Sequence, residues 1–219
     1  MSSIGPNNPG TVVSDATWGS VSWSNPDNAK VSDDAYAISS VWNVITSEYL
    51  KATNFGFSIP AGATIKGIVV EIEESETETV TEDRVRIVKS DDSIGTTERS
   101  AGAELPTTDT YITYGSSSDL WGETWTSEDI NNSNFGVVFA VAFTGYKTRT
   151  AKVDHIRITV YYTALTVVNL NMTLTIISPT VEVRSYTAYR VMQIQGDLSG
   201  GVFTQNLLLR KITDTEDDS

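Results

Sequence analysis

Residues 135–143, Phe-Gly-Val-Val-Phe-Ala-Val-Ala-Phe, repeat with a period of two. Phe135, Val137, Phe139, Val141 and Phe143 fall on one face, and Gly136, Val138, Ala140 and Ala142 on the other. A helix would scatter these residues around its circumference, whereas a strand sorts them into two rows. Large side chains on one face and small apolar ones on the other predict a strand covered on both sides. Residues 153–162 alternate as well. Ile156, Ile158, Val160 and Tyr162 point one way, and His155, Arg157, Thr159 and Tyr161 the other, as in a strand with one buried and one wetter face.

The same reading extends along the chain. Residues 65–74 place Ile68, Val70 and Ile72 inward with Glu71 and Glu73 outward, and residues 84–88 place Val85 and Ile87 inward with Arg84 and Arg86 outward. If these two strands are neighbours, the glutamates face the arginines across one sheet. The link from Ser75 to Glu82 is acidic and threonine-rich, which predicts a solvated turn. Turn chemistry recurs at Ser24–Asn28, Ile59–Gly62, Tyr114–Ser116 and Asn131–Asn134. Ser127–Ile130 reads as a short capped helical turn. Ser40–Ala52, rich in Val, Ile, Thr and Trp, favours strand. Many short strands without a long amphipathic helix predict an all-β chain: a jelly-roll-like β-sandwich followed by a small C-terminal β-strand region.

Four segments are expected: an N-terminal arm at 1–11, the sandwich at 12–163, a docking or assembly region at 164–213, and an acidic disordered tail at 214–219. All five tryptophans lie in the first 125 residues. After Thr163 a long alternating run puts Val168, Leu170, Met172, Leu174 and Ile176 on one face. Tyr189–Gln195 and Val202–Ile212 then flank a glycine-rich link that reads as a hairpin loop. So few strands bury little apolar surface by themselves, so this region is expected to pack on the first domain or on another chain. Its candidate assembly residues are Leu165, Val168, Leu170, Met172, Leu174, Ile176, Val202, Phe203, Leu207 and Leu209.

Composition removes whole classes of chemistry. With no cysteine there is no disulfide, no thiolate catalysis and no zinc–thiolate site. With one histidine there is no multi-histidine metal site within a chain. A net charge of −13 opposes binding to nucleic-acid phosphates or to anionic lipid, so neither nucleic acid nor membrane is an expected partner. No apolar stretch reaches the ~18 residues of a membrane helix, and Met1–Pro6 shows no features of a secretory signal.

Several phrases occur together in a fixed order. They are Trp23–Ala29, Tyr49–Pro60, Gly62–Ile72, Tyr114-Gly115, Asp119–Gly122, Trp125-Thr126 and Val153–Tyr162. This set resembles a β-sandwich module of tailed-phage and prophage structural proteins over about residues 12–163. The resemblance implies a virion component in the capsid decoration, neck or tail/fibre, with other virion proteins and copies of itself as partners.

The residues suggest four candidate chemistries. Asp154-His155 invites a catalytic reading, but no nucleophile or orienting partner accompanies it, so a surface histidine is expected. Asp154 is expected to accept backbone N–H groups at a turn. The carboxylates Glu71, Glu73, Glu74, Glu76, Glu78, Glu82 and Asp83 are dense enough to suggest glycoside hydrolysis, which needs two carboxyls across a cleft. Nothing in the run writes that constraint, and a solvated charge run is the expected reading. Asn25, Asp27, Asn28, Asp33 and Asp34 supply loop oxygens suited to a structural calcium, although not at EF-hand spacing. Exposed tryptophans stack on sugar rings, whereas core packing is the default for aromatics; if a pair is exposed to meet a host-surface glycan, it is Trp121 and Trp125, in a polar loop-like stretch. No catalytic residue and no cofactor beyond that calcium is expected.

Overall fold

The computed structural model describes residues 1–41, 44–145 and 147–165, and the backbone of 189–195, 198–199, 202–203 and 206–211. The chain divides into two compact units, Met1–Val168 and Asn169–Ser219.

The first unit is all-β, built from two antiparallel five-stranded sheets. Its strands are β1 (Ser2–Asn7), β2 (Thr11–Asp15), β3 (Ala37–Val41), β4 (Ile45–Thr46), β5 (Tyr49–Thr53), β6 (Thr64–Thr77), β7 (Val80–Val88), β8 (Thr110–Ser116), β9 (Gly136–Phe143) and β10 (Arg149–Thr163). The first sheet runs β1-β10-β6-β8, with β3 also on β10; the second runs β2-β5-β9-β4, with β7 also on β9. Residues 1–11, expected to form a separate arm, supply β1 and the start of β2. Ser2, Ser3 and Ile4 pair with Tyr162, Tyr161 and Val160, so this segment is an edge of the sandwich. Pro6, which lacks an N–H, sits within a register shift there and blunts that edge.

The core lies between the sheets. Ile68, Val70, Ile72, Ile156, Ile158 and Val160 from the first sheet share one buried cluster with Leu50, Val85, Ile87, Val137, Phe139 and Val141 from the second. As the alternation predicts, β9 is covered on both faces. Its large residues enter the main core, and Val138 and Ala140 join Tyr49 and Val88 in a small outer cluster capped by Trp18 and Ile94. Gly136 is required where β9 meets β5, because a Cβ there would lie 1.9 Å from the Ala52 carbonyl oxygen. Ser127–Asn131 forms a short helix, α1, whose Thr126 and Asp129 make a reciprocal capping box.

The expected pairing of β6 with β7 is not found. The chain crosses from the first sheet to the second between them, through Glu78 at φ 67°. Glu71 instead meets Arg157 of β10 in a two-pronged ion pair, with both contacts at 2.9 Å. Arg84 and Arg86 both reach Glu98, at 3.4 and 2.9 Å. The expected solvated turn at 75–82 is also corrected. β6 continues to Thr77, and Glu74, Glu76 and Glu82 are buried, because the inward row of β6 carries on through glutamates where the apolar residues stop.

In the second unit β11 (Tyr189–Gln195) pairs antiparallel with β14 (Asn206–Lys211), and β12 (Leu198–Ser199) with β13 (Val202–Phe203).

Candidate functional site

The tryptophan loop follows β8. Trp121 has a left-handed backbone at φ 58° and is fully buried. Its N–H donates to Asp119 Oδ1 at 2.8 Å, and its indole Nε1–H donates to the Ile68 carbonyl at 3.0 Å. Gly115 makes room for the ring, since a Cβ there would lie 2.8 Å from the indole nitrogen. Burial opposes ionisation of Asp119, but the Arg99 hydrogen bond and the Trp121 N–H hold its carboxyl below the usual range. Trp121 thus follows the core-packing default, and the candidate Trp121–Trp125 stacking pair is not formed. Trp121 seals the interior because its one polar atom has an internal acceptor.

Trp125 is half-buried. It donates to the Leu120 carbonyl at 2.9 Å and packs edge-on against Phe135, 5.4 Å between ring centres. It forms one wall of a surface hollow of about 130 Å³ whose other walls include Lys89, Asp91, Thr124 and Asp129.

The Asp154-His155 pair sits at a bulge in β10. Val153 pairs with Glu74 and His155 with Glu73, so Asp154 is the extra residue. As expected, the Asp154 carboxylate accepts backbone N–H groups, those of Asp33 and Asp34, each at 3.3 Å. His155 is not a surface histidine: it is 5% exposed. Tyr111 Oη lies 2.8 Å from Nδ1, and Asn8 Oδ1 lies 3.0 Å from Nε2. Burial and the Arg157 charge lower its pKa, against an opposing pull from Glu73 and Glu71. A neutral ring with its proton on Nε2 satisfies both contacts, donating to Asn8 and accepting from Tyr111. Both ring nitrogens are thus committed. The rest of this outer face is cross-linked too. Arg157 lies 4.0 Å over the Tyr111 ring, and Tyr36 and Ser75 both donate to Asp109, at 2.7 and 2.6 Å.

The calcium candidates have other partners. Asp27 pairs with Lys30 at 2.7 Å, and Asn28 donates to the Tyr36 carbonyl at 3.1 Å. Asp33 accepts the Ala35 N–H at 3.2 Å. Asn25 and Asp34 hold left-handed turns at φ 51° and 63°. Among the described residues no group of three or more His, Asp or Glu side chains is placed to hold a metal ion.

Two carboxylates of the acidic run come together in a way its charge alone does not single out. Glu74 of β6, Glu82 of β7 and Tyr114 of β8 meet inside the sandwich, where Tyr114 donates to Glu82 at 2.9 Å. Glu74 is fully enclosed, and neither of its oxygens has a partner among the described residues. Burial, reinforced by the Glu82 charge, pushes its carboxyl well above the usual range, against a smaller pull from Tyr114. The clue was present in the phasing: Glu74 and Glu76 continue the inward row of Ile68, Val70 and Ile72.

Of the assembly candidates, Leu165 is exposed. Val168, Leu170, Met172, Leu174 and Ile176 lie outside the described residues. Val202 and Phe203 are in β13, and Leu207 and Leu209, opposite Ile194 and Val191, are in β14.

No protein-family model matches the chain, and no curated protein does.

Proposed function

We propose that the chain is a non-enzymatic structural component of a tailed-phage virion, acting through protein–protein assembly as a capsid decoration, neck or tail/fibre protein. Its partners in this reading are other virion proteins and copies of itself. The phrases that carry the resemblance coincide with residues that fix the sandwich. Trp23 is buried and donates to the Glu48 carbonyl at 2.8 Å. Phe55, Phe57 and Ile59 enter the core, and Val153–Tyr162 lies within β10.

The observation that carries the proposal is the division of the chain. Met1–Val168 forms one compact unit around the described core, and a second, strand-bearing unit follows. Strands with open edges are suited to adding to a partner's strands. Light scattering on the full-length chain and on a version ending at Thr163 tests this. A defined oligomer that becomes a monomer on truncation is expected, and an oligomer that survives truncation overturns it.

The second reading is a module that binds a host-surface glycan, and the hollow beside Trp125 favours it. With Trp121 sealed, the binding would rest on Trp125 alone. Trp125→Ala is expected to abolish retention on host-envelope polysaccharide without unfolding the sandwich. Equal retention of both proteins removes this reading.

A further inference from the structure

We propose that Glu74, Tyr114 and Glu82 form a proton-operated clasp: with a proton on Glu74 the segment 98–106 stays seated along β7, and loss of that proton releases it. The argument begins with the donors available. Two carboxyl groups, one from each sheet, meet at the end of the sandwich where the chain crosses between sheets. The Tyr114 hydroxyl and the Ala101 N–H both go to Glu82, at 2.9 and 3.0 Å. These serve one charge. Among the described residues Glu74 has no donor within hydrogen-bond distance and only the weaker pull of Tyr114, and an enclosed carboxylate so poorly served is far costlier than an enclosed carboxylic acid.

The groups around Glu74 offer no cation. Its register partner on β10 is Val153. From the second sheet it meets Glu82, and from β8 it meets Tyr114. On its own strand the next inward residue is Glu76, which feels the charges of Glu104, Glu78 and Arg149. Glu73 lies on the opposite face of β6.

The segment 98–106 is tied to the Glu82 side chain through Ala101 and to β6 and β7 by backbone contacts. Glu98 Oε1 accepts the Val85 N–H at 2.6 Å, and the Arg99 N–H donates to the Val85 carbonyl at 3.0 Å. Ala101 donates to the Glu82 side chain. Glu82 N–H donates to Ala103, Leu105 N–H to Val80, and Glu76 N–H to Pro106, at 2.8, 2.9 and 2.8 Å. Leu105 is buried, and the segment covers the edge of β7. A second negative charge beside Glu82 repels the two sheets and pulls at Ala101. Lifting the segment lets water reach both carboxylates and bares the β7 edge, a surface able to pair with another strand.

The test uses the full chain. Hydrogen exchange at residues 98–106, corrected for intrinsic rates, is followed with rising pH in the wild type and in Glu74→Gln. Between the ordinary carboxylate value of 4.5 and the raised value of seated Glu74, wild-type opening is expected to rise by up to about tenfold per pH unit. Glu74→Gln is expected to stay flat. In the infrared, the wild type is expected to show a protonated-carboxyl band that persists above the ordinary carboxylate range, that Glu74→Gln lacks and that Glu76→Gln keeps. Equal pH slopes in the two proteins overturn the proposal. So does absence of the band, which decides the matter if Glu74→Gln does not fold. Protection that persists at high pH only with added sodium or calcium also overturns it, by placing a cation where the proton was proposed.

Discussion

At the scale of single residues, Trp121 and Trp125 show where a local pattern is insufficient. Both stand in a polar stretch, and nothing within a few residues separates them. What does is the Ile68 carbonyl, 53 positions away, which accepts from the Trp121 indole. Trp121→Ala is expected to cost about 3–5 kcal/mol, as for a buried aromatic, and Trp125→Ala about half of that, since it is half-buried. Denaturant midpoints measure both. His155 is a parallel case. Its alternation placed it correctly on the polar face beside Arg157, but Tyr111 and Asn8 close over it from 44 and 147 positions away. Because its pKa is lowered in the folded state, the unfolded chain binds more protons below about 6.5, the ordinary value. Stability from this group is present above that pH and is lost as pH falls towards the folded value. In His155→Gln that part of the acid loss is expected to disappear from denaturation curves measured at successive pH values.

At the scale of elements, the strands were legible and some of their neighbours were not. The inward rows of β6, β9 and β10 follow from a period of two, because each strand buries one face or both. Sheet membership does not follow from the period, as β6 and β7 show. They are adjacent in sequence and complementary in charge, yet the chain crosses between sheets after Thr77. The pairing found makes a direct prediction. A double-mutant cycle on Glu71 and Arg157 is expected to give a coupling of about 1 kcal/mol, the upper range for a partly exposed pair with two-pronged geometry. The cycle on Glu71 and Arg84 is expected to give none, since Arg84 reaches Glu98 instead. The capping box of α1 was visible locally, because Thr126 and Asp129 lie within one turn. Thr126→Ala is expected to cost about 1 kcal/mol.

At the scale of the whole molecule, the sequence changes character where the tryptophans end and a different alternating run starts, and the chain forms two compact units, Met1–Val168 and Asn169–Ser219. What the sequence lacked was a partner for those strands, since a strand's edge carries the same backbone groups whatever pairs with it. Charge distinguishes the partners that the proposed function allows. At −13, each copy repels the next, and salt screens that repulsion over about 10 Å at 0.1 M. If copies of the chain assemble with one another, their association is expected to strengthen as salt rises from low to physiological levels. If the strands instead meet a basic partner, the same change weakens binding, because the long-range attraction is screened. Sedimentation of the full chain across a salt series separates the two. A self-association that weakens with salt means that local contacts between copies pair opposite charges strongly enough to outweigh the net repulsion.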